Sequence, residues 1–421
     1  MLDIQFISDN AQKLKQATKN KGLNPDIIDK VLDVDKTRKE LILQVESLRA
    51  EKNKLTKEDR DKGRKIKEEL KDIQPQLRKV EADFKALMLQ VPNMPDKDVP
   101  VGKDESANKL VRTWGKKTKF DFKPKDHIHL GQSLDLIDFK RGVKVAGFRS
   151  YFLKNQAVLL QFALMQYALK KLIDKGFTPF IPPMIVNQRA LINTGHFPWG
   201  KDDIYKTHND KQEKDVRYLA GTAEVPLVSY HQDEILNAKD LPLLYAGFSP
   251  CYRREVGSYG KDTKGLYRLH EFFKIEQVVI CKNNLKEGKQ WLEKLTLFAE
   301  EILQDLNLAY RVMLMSTADM GEPQVKKYDI ETWMPSRNAY GETHSDSFMA
   351  DFQARRANIK YRTKENKVEY AYTINNTAIA SPRILIAILE NYQQKDGSIK
   401  IPAVLQPYIN QKTIKPHDKK A

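Results

Sequence analysis

Apolar residues return at alternating spacings of four and three through most of the stretch from residue 27 to residue 89. The first series is Ile27, Val31, Val34, Arg38, Leu41, Val45, Leu48, Lys52 and Leu55, with Arg38 and Lys52 as polar intrusions. The second, Ile66, Leu70, Ile73, Leu77, Val80, Phe84 and Leu87, has no polar break. Such spacing predicts two helices, each with one apolar seam. The intervening TKEDRDKG holds Gly63 and no seam residue, so the chain folds back and the seams zip into an antiparallel coiled-coil hairpin. At 1.5 Å per residue the first helix reaches about 45 Å, too long for the inside of a globular core. Pro75 lies within the second helix, where losing its backbone donor predicts a kink or an interruption.

Beyond the hairpin the pattern changes. The proline-rich VPNMPDKDVPVGKDES cannot continue a helix and reads as a linker, which places a boundary near residue 105 between a domain of residues 1–105 and one of residues 106–421. In the second domain, strand-like runs such as PFIPPMIVN, LPLLYAGFSP and FFKIEQVVIC alternate with helical runs such as SYFLKNQAVLLQFALMQYALKKLIDKG. Hairpins mixed with helices predict an α+β fold with a mainly antiparallel sheet. No Walker loop is present, and no G-x-G-x-x-G follows a strand.

Composition bounds the partners. The chain has 421 residues with 72 Lys and Arg against 56 Asp and Glu, and the resulting +16 suits a polyanion or simply solubility. Its two cysteines, Cys251 and Cys281, lack zinc-ligand spacing, so no structural zinc is expected. The start, MLDIQFISDN, has no basic run followed by a long apolar one, and no stretch of eighteen apolar residues occurs. These features predict a cytoplasmic chain without a membrane span.

Four segments carry candidate chemistry. CYRREVGSYGKDTKGLYRLHEFFKIEQ, residues 251–277, joins two strand-like runs through a loop with Gly257, Gly260 and Gly265. Strand alternation puts Arg253 with Glu255 on one face, and Arg268, Phe272, Lys274 and Glu276 on a face opposite Phe273, Ile275 and Val279. Arginine grips phosphate or carboxylate, an aromatic face stacks a base, and a carboxylate accepts from an amine or alcohol. A half-solvated sheet would show the same polar face to water. In NNTAIASPRILIAILENYQ, residues 375–393, Ser381 reads as an N-cap and Pro382 as the first helical position, leaving Arg383 in a first turn that attracts anions. An ordinary capped helix with a solvated arginine reads the same way. In GTAEVPL, Thr222 and Glu224 point the same way if extended and can receive an ammonium group. YGETHSDSFMADFQARRANIKYR offers Glu342, Ser345, Asp346 and Ser347, whose oxygens suit Mg²⁺ arriving with a nucleotide; His344 alone suggests no chemistry.

Taken in order along nearly the whole chain, these elements resemble the bacterial type of the seryl-tRNA synthetase family of class II aminoacyl-tRNA synthetases. The resemblance is carried by MLDIQFI, the charged hairpin, PNMPDKDVPVG, GFTPFIPPMIVN as motif 1, GTAEVPL, residues 251–277 as motif 2, DFQARRANIKYR, and NNTAIASPRILIAILENYQ as motif 3. It implies a six-stranded antiparallel catalytic sheet, an N-terminal arm (about 27–89) that holds the long variable arm of serine tRNA, and a homodimer paired through motif 1 around Pro183. It also implies a two-step reaction, from L-serine and ATP to seryl-adenylate, then to the 3′ end of serine tRNA; selenocysteine tRNA stays open as a second acceptor. Serine would be held by Thr222, Ala223, Glu224, Arg253, Glu276, Asn375 and Thr377, with Glu276 and Thr377 reading its hydroxyl. ATP would be held by Arg253, Arg254, Glu255, Arg268, Leu269, Phe272, Glu342, Thr343, His344, Ser345 and Arg383, with Glu342 and Ser345 binding Mg²⁺. Arg253 and Arg383 would be the catalytic cations, and Tyr259, Lys261 and Lys264 would meet the incoming tRNA end.

Two departures from the family stand out. Where it usually has Ser-Cys-Ser-Asn after the glutamate, this chain has THSDSF, with Asp346 for the cysteine and Phe348 for the asparagine. The arm is also short and contains Pro75. Other readings are a class II relative that activates another amino acid or charges a carrier protein, and a non-catalytic RNA-binding paralogue. The retained Arg253, Arg268 and Arg383 argue against the last of these.

Overall fold

The computed structural model describes residues 1–56, 58–207, 216–256 and 264–416, and divides the chain into two compact units, Met1–Met94 and Pro95–Ala421. In the first unit two short helices, Ile4–Asp9 and Ala11–Asn20, precede the long helices α1 (Ile27–Asn53) and α2 (Arg60–Met88). Ile7 and Leu14 pack with Ile28, Val31, Met88 and Val91 at the base of the hairpin, and Val45, Ile66 and Leu70 pack farther out. The apolar seam positions are therefore buried or half-buried, joined by Ile28, Asp35 and Met88 beside the seam, while Lys52 stays exposed. Arg38 fits the seam because its guanidinium lies 4.5 Å from the Phe84 ring centroid while its Nη2 pairs with Asp35 at 2.6 Å. Burial opposes the Asp35 charge, but Lys39 and Arg38 hold the carboxyl below its usual range.

The expected interruption at Pro75 does not occur. α2 stays helical through it because Pro75 is exposed, opposite the half-buried seam residues Ile73 and Leu77. The hydrogen bond lost by proline thus falls where water can satisfy the freed carbonyl, and the seam is untouched.

The second unit is organised by an eight-stranded sheet. Its strands are β1 (Lys109–Trp114), β2 (Thr178–Phe180), β3 (Leu243–Tyr252), β4 (Glu271–Cys281), β5 (Tyr310–Leu314), β6 (Lys326–Met334), β7 (Ala339–Ala350) and β8 (Tyr372–Ala380). They lie in the order β1-β5-β6-β7-β8-β4-β3-β2. The six from β5 to β3 are antiparallel throughout; β1 adds an antiparallel edge and β2 pairs parallel with β3. PFIPPMIVN is not one strand, since its prolines separate β2 from a short strand at Ile185–Asn187.

Helices α3 (Gln156–Ile173), α5 (Leu285–Asp305) and α6 (Ser381–Asn391) share a core with one face of the sheet. Leu160, Leu164, Leu295 and Ile384 meet Ile275, Val279, Phe348 and Ile374 there. Each such aliphatic side chain contributes about 1.5–3 kcal/mol relative to exposure. On the other face Val278 and Ile280 pack with Ala223, Leu227 and Val228, the last two from the one-and-a-half-turn helix α4 (Glu224–Ser229). No helix among the described residues is long and apolar enough to cross a membrane.

Candidate active site

The face of β4 that carries Lys274 and Glu276 is not wetted as an ordinary polar sheet face would be. Lys274 is 5% exposed and Glu276 2%. Both line a cavity of about 300 Å³ whose walls come from α4, β4, β6, β7, β8 and the start of α6. Burying charge is costly unless it is paired, so the contents of the cavity have to be read as pairs.

At one end stand Glu342, Arg383 and Tyr267. Arg383 donates from Nη1 to the Glu342 carbonyl at 2.9 Å and from Nε to the Tyr267 carbonyl at 3.2 Å, stacks 4.5 Å from the Tyr267 ring centroid, and pairs with Glu342 Oε2 at 3.2 Å. Burial works to raise the Glu342 pKa, but Arg383 and Lys327 beside it hold it down to about 2. Arg383 reaches this place because α6 begins directly after β8, one residue earlier than expected: Ala380 and not Ser381 is the N-cap, no side chain caps the helix, and Pro382 is its second residue. Arg268 pairs with Glu255 at 2.9 Å, and both face the cavity with Leu269 and Phe272. Arg253 sits mid-cavity, its guanidinium 5.4 Å from the Phe272 ring centroid and its Nε donating to the Gly221 carbonyl at 3.3 Å.

The other end is built by Thr222, Glu224, Glu276, Asn375 and Thr377. Thr222 and Glu224 do meet the same space, but not as an extended pair: Glu224 opens α4, and its backbone N–H donates to Thr222 Oγ1 at 3.3 Å. The Glu224 carboxylate accepts from Gln353 Nε2 at 2.7 Å and Asn375 Nδ2 at 3.0 Å. Burial still raises its pKa, against the pull of Gln353, Lys274 and Arg253.

Two β-bulges decide which side chains face inward. Glu331 pairs with Glu342 and Ile330 with His344, so Thr343 is an extra residue on β7. In a regular strand Glu342 and Ser345 would point to opposite faces; the extra residue brings Glu342, Ser345 and Ser347 to one side. Opposite β4, Glu276 pairs with Thr377 and Ile275 with Ile379, which makes Ala378 the extra residue on β8.

Three residues expected at the site do not line the cavity. Arg254 instead bonds through its backbone N–H to the Asp203 carbonyl and through its guanidinium to the Asp202 carbonyl. Ala223 packs in the apolar cluster behind α4. The His344 ring lies on the far side of the bulge, bonded to Thr343 Oγ1 and the Ala378 carbonyl, and burial lowers its pKa to about 4, so it is neutral.

Other residues enter without having been singled out. Lys327, on β6, lines the cavity and pairs with Asp329 at 3.0 Å; the alternation of Lys327, Asp329 and Glu331 with Tyr328 and Ile330 was the readable sign. His127 had no local signal. Its Nε2 accepts from the Leu266 N–H at 3.1 Å, which leaves Nδ1 protonated to donate to Glu390 Oε1 at 2.9 Å. This chain ties the end of the 251–277 loop to α6. Gly265, at φ 79°, is required there, because a Cβ would lie 2.2 Å from His127 Nε2.

Comparison with known proteins identifies this arrangement. The N-terminal domain of seryl-tRNA synthetases matches residues 1–95, and the class II tRNA synthetase core domain (G, H, P, S and T) matches residues 205–392. The serine–tRNA ligase of Deinococcus radiodurans is 44% identical over 98% of this chain and 99% of its own length. The chain belongs to the seryl-tRNA synthetase family. The ligase of Treponema denticola is 42% identical over 97% of this chain and 98% of its own length. Among solved structures, the seryl-tRNA synthetase of Pyrococcus horikoshii complexed with ATP superposes with a TM-score of 0.92 at 36% identity, covering 99% of this chain and all of that one. A prolyl-tRNA synthetase of Giardia lamblia, at 16% identity and a TM-score of 0.58 over 66% of this chain and 55% of its own, shares the fold alone.

Within this seryl-tRNA synthetase fold the THSDSF departure falls outside the cavity. Asp346 and Phe348 lie on the far side of β7 from Glu342 and Ser345. The Asp346 carboxylate accepts from Thr296 Oγ1 of α5 at 2.5 Å, and burial pushes its pKa up; Phe348 is core. The inward donors are therefore unchanged by both replacements. Tyr259, Lys261, Gly257 and Gly260 lie outside the described residues, and Lys264 is exposed.

Proposed function

We propose that this chain activates L-serine with ATP in the cavity between Glu276 and Arg383 and transfers the seryl group to the 3′-terminal adenosine of serine tRNA. The observation that carries the reading is the guanidinium of Arg253, whose charge acts on Glu224 and Glu276 at one end of the cavity and on Glu342, the partner of Arg383, at the other. Serine would lie with its ammonium toward Thr222 and Glu224 and its hydroxyl toward Glu276 and Thr377. ATP would lie with its base on Phe272, its adenine edge at Glu255 and the Leu269 backbone, and its γ-phosphate at Arg383.

The chemistry asks for little more. A serine carboxylate oxygen attacks the α-phosphorus in line, the bond to the β-phosphate oxygen breaks, and pyrophosphate leaves. Arg253, reaching both the attacking carboxylate and the α-phosphate, holds them at reacting distance and offsets the charge that builds between them. In the second step a hydroxyl of the terminal adenosine attacks the seryl carbonyl carbon and AMP leaves. Glu342 and Ser345 fit Mg²⁺: two oxygen donors on one face, one of them kept ionised, are a partial set that leaves room for phosphate oxygens and water. When bound, the ion would neutralise phosphate charge.

The first test is ATP–pyrophosphate exchange with a panel of amino acids. Serine alone should support it, in a Mg²⁺-dependent manner; exchange driven by another amino acid, or by none, overturns the proposal.

The exposed cations of α1 and α2, among them Lys36, Lys65, Lys71 and Lys79, support a role for the hairpin in holding the tRNA backbone. Pairing of two chains through motif 1 is supported by an outward apolar stripe, Ile181 at 83% exposure, Pro183 and Ile185, which alternates with buried Pro182, Met184 and Val186. Light scattering at micromolar concentration should then give twice the chain mass of 48.7 kDa, and a single-chain mass refutes the pairing.

A further inference from the structure

Lys274 has no part in the reaction as derived above, yet it sits at the centre of the serine end. Its Nζ donates to Thr222 Oγ1 at 2.7 Å and forms an ion pair with Glu276 Oε2. Thr222 and Glu276 are the groups proposed to meet the substrate's ammonium and hydroxyl, so one buried cation joins both halves of the amino-acid subsite. Neighbouring strand positions two apart on one face make this pairing possible, and Ser249, opposite Lys274 on β3, is small and fully buried.

We infer that Lys274 is a positioning residue for serine selection, whose ammonium holds the Glu276 carboxylate as a fixed anionic acceptor facing the substrate hydroxyl. With Oε2 engaged by Lys274, the remaining oxygen can only accept, and the group it favours is a small donor such as an alcohol. The inference rests on the reading of Glu276 as the hydroxyl partner.

The physical alternative for Glu276 is clear. Burial raises its pKa, and the main force against that is the charge and hydrogen bond of Lys274. The other ionisable groups acting in this cluster are Glu224, which raises the Glu276 pKa, Arg253, which lowers it, the buried Cys251 and Asp346, which Glu276 itself raises, and His196, which burial, Arg253 and Lys274 lower to about 4. Without Lys274 the carboxyl would hold its proton to higher pH, and when protonated it is no longer a pure acceptor.

Three variants test this by serine-dependent pyrophosphate exchange. Lys274→Met should raise the KM for serine about ten-fold or more at pH 7 while leaving the KM for ATP within about two-fold. Activity at subsaturating serine should recover, relative to the parent enzyme, as the pH is raised and Glu276 ionises. Lys274→Gln keeps a donor for Thr222 but no charge, and should show the same pH-dependent loss. It also serves if the methionine variant does not fold. Glu276→Gln should raise the serine KM by itself, and adding Lys274→Met to it should change little further. An unchanged serine KM in Glu276→Gln removes the underlying reading of Glu276. A raised KM there, with both Lys274 variants matching the parent in serine KM and pH profile, overturns only the role given to Lys274; so does a Lys274 effect of full size in the Glu276→Gln background.

Discussion

Replacing Arg253 with alanine is expected to lower serine-dependent ATP–pyrophosphate exchange by about a thousand-fold or more, the scale seen when a preorganised group aimed at transition-state charge is removed. The other cations that line the cavity are engaged: Arg268 by Glu255, Arg383 by Glu342, Lys274 by Glu276 and Lys327 by Asp329. Arg253 is held from two sides, by the Gly221 carbonyl and the Phe272 ring, so its planar fork is fixed before substrate arrives. Lysine keeps the charge but not the fork, and Arg253→Lys should recover only a small part of the loss. Exchange within about ten-fold of the parent in the alanine variant would show that the α-phosphate lies elsewhere.

A shortened hairpin should separate the two steps. Residues 42–80 replaced by a brief glycine–serine turn leave Asp35, Arg38 and Phe84 in place, with the base cluster of Ile7, Leu14, Ile28 and Met88. Cutting deeper would open that cluster and confound the result with unfolding. Pyrophosphate exchange should stay within about two-fold, because none of the altered residues lines the cavity or belongs to the unit that builds it. Transfer of serine to tRNA should fall by about a hundred-fold or more, with a weaker dependence on salt, as phosphate contacts from the lysines are lost. If exchange collapsed in parallel with tRNA charging, the assignment of the hairpin to tRNA would be wrong.

Much of this is legible in the sequence. The hairpin could be read from its three-and-four spacing because helical periodicity is local: each seam residue meets its partner through a geometry set within one turn. The strands of motif 2 showed as alternating runs and the helix of motif 3 as an apolar run after Pro382, whereas the strand of motif 3 was not read. Arg38 and Pro75, which looked like faults in the hairpin, were not readable in the same way. One needs Phe84 from the other helix and the other needs to be on the outer side, and both are facts of pairing.

What the sequence by itself determined, then, is the inventory: two heptad helices, a mainly antiparallel α+β unit, and the arginines and carboxylates of three motifs that resemble one family. What only the tertiary structure decided is which of them meet. The bulge at Thr343 brings Glu342 to the side of Ser345 and leaves His344 and Asp346 on the other. The fold also carries Lys274 against Thr222, fifty-two positions distant in the chain, and His127 against Leu266 and Glu390. Register and long-range pairing arise from the packing of whole strands, and one inserted residue reverses every side chain beyond it.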